Sequence, residues 1–188
     1  MPRISSNSLR QAHIEAASQE FKSLAESGVR IEGNVFSPLL FVKGAAGISS
    51  QTSLLLEAEG KALRAAFGTL GWAPEDECVL CASGEAGTDA QALPLNPELF
   101  REALEAIDPE AVVLLDQAAV DAMQAAYGEE LAIIEDFTVA MLEVGSVAHV
   151  MGRRVLALQG FAQSLSNPQQ KQAMWARMKK LPHVGEPY

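Results

Sequence analysis

The chain reads as a three-layer α/β/α domain around a central, mostly parallel four-stranded sheet. Three observations predict it. Four short apolar segments, Phe36–Val42, Cys78–Ala82, Ala111–Leu115 and Val155–Leu158, run with little polar alternation, as strands covered on both faces do. Segments with helical spacing of their apolar residues separate them. Alternating strands and helices place the helices on both faces of a parallel sheet through right-handed crossovers. With 188 residues, no repeat, no low-complexity tract and no long linker, the expectation is one domain over 1–188. It divides into an N-terminal helix over 8–27, a core over 35–181 and a tail over 182–188.

The first helix runs from Ser8 to Ser27, with Ile14, Ala17, Phe21 and Leu24 on one stripe and Gly28 as its stop. The first strand follows and ends in the small-residue loop Lys43-Gly44-Ala45-Ala46-Gly47. Leu54-Leu55-Leu56 precedes a helix from Ala58 to Leu70, closed by Gly71. After the second strand, Ser83–Pro94 has the composition of an exposed loop. Pro97–Ile107 is a helix whose stripe is Leu99, Phe100, Ala103, Leu104 and Ile107. Beyond the strand at Ala111, Gln117–Tyr127 is helical. Leu131–Ile134 and Thr138–Val144 are short apolar runs that fit a strand or a helix, and Gly145–Gly152 reads as a loop or hairpin. The last strand, at Val155, leads to Asn167-Pro168, an N-cap followed by a proline at the first helical position. Lys171, Met174, Trp175 and Met178 then recur at helical spacing, and the helix is expected to reach Lys180.

Composition narrows the function classes. The chain is 48% hydrophobic and 20% charged, ordinary for a globular protein. No apolar run approaches the roughly 20 residues of a membrane helix, and Met1–Asn7 has no apolar signal core. The expectation is no membrane association, no export and, with two cysteines, a reducing cytoplasm. A net charge of −10 counts against broad nucleic-acid binding, which depends on neutralising phosphates. Arg153-Arg154 and Lys179-Lys180 are the adjacent basic pairs, and both read as solvated faces.

The strand, loop and Asn-Pro helix from Val155 to Trp175 resembles the C-terminal end of the uracil-DNA glycosylase superfamily, especially its bacterial short-chain branches. The likeness continues through Leu39–Gly47, similar to the superfamily's first motif; through Leu55–Leu63; through Phe67–Trp72 with Asp76–Ala82; and through Pro97–Gly128. It implies a glycosylase-like fold from Leu39 to Leu181, and enzymes of that fold flip a base into a pocket and read its edge there. The departures fall on the chemistry. The carboxylate or amide that positions a water is replaced by Lys43-Gly44-Ala45-Ala46, the stacking aromatic by Leu55, the uracil-reading asparagine by Ala82, and the histidine by Gly160. A pocket without polar readers discriminates bases poorly. Two cysteines cannot hold the iron–sulfur cluster that some branches carry on four. The ending is also similar to the psi subunit family of the bacterial clamp loader, which has Asn-Pro-x-x-x-x-Ala-x-Trp, here Asn167-Pro168 with Ala173 and Trp175. That family's Leu-Gly-Ile-x-x-Trp segment is absent from Met1–Val29.

Residues able to do chemistry are few. Asp116 follows a strand at the sheet edge where ligands of such folds bind, and it equally caps the helix at Gln117. Glu57, with Glu59, lies near the expected mouth of the pocket, and His149 is the histidine nearest the last strand. Gly44 and Gly47 could offer backbone N–H groups to an anion or serve a tight turn. Phe161 fits a wedge into DNA or a core residue equally. Cys78-x-x-Cys81 has redox spacing, but on a strand the two side chains point to opposite faces. No second Cys or His pair completes a zinc site.

The expectation is a catalytically degenerate glycosylase-fold protein, without cofactor or metal, acting as a binding or adaptor module in DNA replication or repair, with a protein partner. The alternative is a divergent DNA glycosylase or nucleoside or nucleotide hydrolase using Asp116, Glu57 or His149. Lys43, Gly44, Gly47, Leu55, Ala82, Gly160 and Phe161 would then mark the former or working pocket.

Overall fold

The computed structural model describes residues 19–44, 53–73, 77–84 and 93–183. Helix α1 covers residues 19–26, so residues 8–18 of the expected first helix lie outside the described residues. Then follow β1 (Ile31–Gly33), β2 (Leu39–Lys43), α2 (Glu57–Thr69), β3 (Cys78–Cys81), α3 (Pro97–Ile107), β4 (Ala111–Leu114) and α4 (Gln117–Ala126). Three short elements, α5 (Gly128–Ala132), α6 (Phe137–Ala140) and β5 (Val147–Val150), lead to β6 (Arg153–Ala157), α7 (Phe161–Ser164) and α8 (Pro168–Met178).

The sheet has six strands, in the order β1-β3-β2-β4-β6-β5, rather than four. The four central strands are parallel, and they are the four expected from the apolar runs. The edges β1 and β5 are antiparallel additions. A three-residue strand such as β1 is too short to show a period. β5 is the hairpin alternative of the 145–152 region: Met151 and Gly152 both take positive φ, 50° and 82°, as two-residue hairpin turns require. The first strand starts at Leu39, not Phe36, which is 71% exposed. Thr138–Val144 is not a strand. Asp136 accepts from the backbone N–H of Thr138 and Val139 and starts α6 instead. Leu131 belongs to α5.

The alternation of strand side chains builds two cores. Leu40, Val42, Leu80, Val112 and Leu114 face α1, α3 and α4. Leu39, Phe41, Val79, Val113 and Leu156 face α2, α7 and α8. Every residue of β2, β3 and β4 is buried, which accounts for their unbroken apolar runs. Burying one such side chain contributes about 1.5–3 kcal/mol. Cys78 lies in the first core and Cys81 in the second, so the two thiols are separated by the sheet. Asn96 and Asn167 cap α3 and α8, accepting from the N–H of Glu98 (2.8 Å) and Gln169 (2.9 Å). Trp72 donates its indole N–H to the Leu181 carbonyl at 2.9 Å, which ties the end of the chain to the end of α2.

Candidate functional site

The sheet order decides where a ligand could sit. From β2 the chain crosses to β3 on one side, then returns across to β4 on the other. The carboxyl ends of β2 and β4 therefore flank a topological switch point, where open α/β sheets form their crevice. A cleft of about 650 Å³ lies there. Lys43 comes from the end of β2, Glu59 from α2, Leu115 and Asp116 from just beyond β4, Gly160 from the loop after β6 and Phe161 from the start of α7.

The charged groups of this cleft are engaged with one another or with the backbone. Lys43 Nζ donates to Glu59 Oε2 at 2.6 Å, and the two side chains are 10% and 4% exposed. The same carboxylate oxygen accepts from the Leu56 N–H at 3.0 Å, the reverse half of a capping box at the start of α2. One carboxylate thus links the β2 end to the α2 start. Asp116 caps α4 by accepting from the Ala119 N–H at 2.9 Å. Its two oxygens also accept from the Gly44 N–H, at 3.1 and 2.9 Å. That contact bridges the ends of β2 and β4 across the switch point. It engages the first N–H of the glycine loop, the donor that an anion would otherwise take.

Gly44 has to be glycine for this closure. A Cβ there would stand 2.6 Å from the Ala118 Cβ, inside any real carbon–carbon contact. On the far side of the cleft, Gln159 and Gly160 both take left-handed backbone, φ 42° and 71°. The chain turns through them directly into α7, and at Gly160 that turn favours glycine.

Lys43, Gly44, Asp116, Gly160 and Phe161 thus come together. Phe161 is 2% exposed and belongs to the α2/α8 core, with part of its ring surface in the cleft wall; it does not project as a wedge. Leu55 and Ala82 are buried in the two cores. Glu57 is exposed on the first turn of α2 and does not line the cleft. Glu59, two residues on, does; a helix turns about 200° over two residues. His149 is exposed on the edge strand β5, beside a separate depression with Asp136, Arg154 and Lys180. Gly47 lies outside the described residues. Gln117, Gln159 and Gln163 also line the cleft, amides that no motif marks.

Both thiols are buried, and burial pushes Cys78 up to about 12 and raises Cys81 as well. Among the described residues, no three His, Cys, Asp or Glu side chains stand together as a metal-binding group. No helix of the described residues is long and apolar enough to cross a membrane. A second, largely apolar groove of about 600 Å³ runs between α2 and α8, with Ala62, Ala66, Met174 and Trp175 in its walls and Lys61 and Lys171 beside them. No known family model matches the chain, and no curated protein matches it.

Proposed function

We propose that the protein is a non-catalytic binding module on a uracil-DNA glycosylase-like frame, acting as an adaptor in DNA replication or repair. One observation supports the non-catalytic part: the ionisable side chains of the strand-end cleft are each engaged in internal contacts. Glu59 is held by Lys43 and the Leu56 N–H, and Asp116 by the Gly44 and Ala119 N–H groups. A general base must be free to reach the proton it abstracts. Here each carboxylate serves packing and capping instead. The frame is proposed on the collinear resemblance. The positions it assigns to catalysis hold Lys43, Leu55, Ala82 and Gly160, of which Leu55 and Ala82 are buried apolar side chains. The negative net charge favours a protein partner over a long stretch of nucleic acid.

Fluorescence anisotropy on single-stranded DNA and on duplex with an abasic-site analogue, at low salt, tests the DNA connection. Salt-sensitive binding supports a place beside DNA, and no binding at micromolar concentration removes it. Prolonged incubation with uracil-containing and damaged duplex tests the non-catalytic part, with no base release expected.

A second reading, a glycosylase or hydrolase with relocated groups, has one observation in its favour. Glu59 and Asp116 both line the switch-point cleft, where catalytic groups of such sheets collect. It requires base release or nucleoside hydrolysis that Glu59→Gln or Asp116→Asn abolishes while the fold is kept.

A further inference from the structure

The charges are segregated along the chain. From Glu102 to Gly152 there are eleven Asp or Glu and not one Lys or Arg. From Val144 to Gly185 there are six Lys or Arg and no Asp or Glu. Within the acidic stretch, five large apolar side chains stand out of the surface; Met151 (58% exposed) sits at the turn between β5 and β6, and the other four, Ile133 (82%), Phe137 (71%), Met141 (46%) and Val144 (40%), lie together between Ile133 and Val144. Single exposed apolar residues are ordinary; four within one turn-rich segment form a patch.

The patch has a defined relief. Phe137 and Met141 form a ridge between two depressions of about 510 and 530 Å³. The first is floored by Leu131, Ile134 and Ala140, and the second by Val120 and Val144. No Lys or Arg lines either depression. Glu135 lines the first depression and Glu143 the second, and both are exposed. Asp136, next to Glu135, lies outside both depressions: it caps α6 and borders the neighbouring depression that Arg154 and Lys180 line. The second depression shares Gln117 and Gln159 with the strand-end cleft, so the ridge and the cleft form one continuous face.

We infer that this ridge is a docking surface for a lysine- or arginine-rich amphipathic helix of a partner protein. The inference rests on the adaptor reading and names the face and the class of partner. A helix about 10 Å across presents an apolar stripe at i, i+3, i+4 and i+7 with cations on its flanks. The stripe covers Phe137 and Met141, and the flanking cations meet Glu135 and Glu143. The opposite charge steers the encounter, and the buried aromatic supplies most of the affinity. The groove between α2 and α8, with its lysines, would repel the same peptide.

The test uses the full chain and a fluorescein-labelled amphipathic helical peptide of leucine and lysine. Its scrambled version and its glutamate counterpart serve as controls. The expected result is binding of the helical lysine peptide alone, weakened at least about tenfold by Phe137→Ala/Met141→Ala. Glu135→Gln/Glu143→Gln should reduce both the affinity and its salt dependence. Glu135, Phe137, Met141 and Glu143 are exposed, so these variants keep the wild-type melting curve, and circular dichroism checks that they do. Equal binding by the scrambled peptide, or binding that the ridge variants leave unchanged, overturns the inference. So does sedimentation showing that the chain self-associates through Phe137, because the occupant is then a second copy. Base release from DNA would refute the adaptor reading and leave the ridge result intact; loss of ridge dependence would do the reverse.

Discussion

Replacing Glu59 with alanine strands the Lys43 ammonium in a site where its side chain is 10% exposed. Breaking a buried ion pair from one side costs about 3–5 kcal/mol, because the remaining charge has lost its compensation. Glu59→Ala also leaves the Leu56 N–H without its acceptor, at about 1 kcal/mol for a lost helix cap. Against a total stability on the order of 10 kcal/mol for a domain of this size, the loss is large. With a urea slope of about 2 kcal/mol/M, a change of 4 kcal/mol moves the unfolding midpoint down by about 2 M. Lys43→Met should also be strongly destabilising, because it leaves the Glu59 carboxylate buried with a single backbone donor. The double variant Lys43→Met/Glu59→Gln removes both charges and keeps an amide oxygen for the Leu56 N–H. It should lie within about 2 kcal/mol of wild type, since replacing both partners leaves no uncompensated charge. Wild type, Lys43→Met, Glu59→Gln and the double variant form a double-mutant cycle, with urea unfolding followed by circular dichroism as the assay. With each single at about 3 kcal/mol or more and the double within about 2, a coupling of about 4 kcal/mol or more is expected. If the single variants each cost under about 1 kcal/mol, or if their costs simply add in the double, the pair does not couple β2 to α2 as argued here.

Gly44→Ala should cost about 1–3 kcal/mol, because the new Cβ would meet the Ala118 Cβ at 2.6 Å; Ala118→Gly in the same chain should return part of that, read from urea midpoints. Asp116→Ala removes both the α4 cap and the bridge to Gly44, for an expected loss of about 2 kcal/mol, and an Asp116→Asn variant should lose less, as the amide oxygen still accepts; equal losses would refute the role of the oxygen. Cys78, pushed up to about 12 by burial from an ordinary value near 9.0, stays protonated in the fold while the unfolded chain gives up its proton. The unfolded state then binds fewer protons, so stability falls as pH rises from about 9 towards 12, by at most about 1.4 kcal/mol per pH unit for this group. Urea midpoints at pH 8 and pH 10 should diverge more in wild type than in Cys78→Ala. At pH 8 neither thiol should react with a disulfide reagent until the chain unfolds, and fast labelling of the native protein would contradict the burial of both.

The chain's local order was legible where one residue's neighbours along the sequence decide its state. Unbroken apolar runs marked β2, β3, β4 and β6, because strands covered on both faces need no polar alternation. Asn167-Pro168 marked the start of α8, because cap and first turn are chemically specified within a few residues, and Asn96-Pro97 begins α3 in the same way. The 3-residue spacing of Cys78 and Cys81 was enough to send the two thiols to opposite cores. Other features depend on partners far along the chain. β1 is a strand because the sheet edge offers it hydrogen bonds, and nothing within its three residues states that pairing; β5 was legible only as one of two alternatives, loop or hairpin, and its pairing with β6 decides between them. Asp116 was readable as a helix cap, but its contact with the Gly44 N–H, 72 residues away, exists only because β2 and β4 lie side by side. Glu59 rather than Glu57 reaches the cleft because the packing of α2 on the sheet sets the helix's rotation. Local propensity is written in adjacent residues. The strand order, the closure of the crevice and the exposure of the Phe137 ridge follow from which surfaces remain once all the apolar faces compete for the same core.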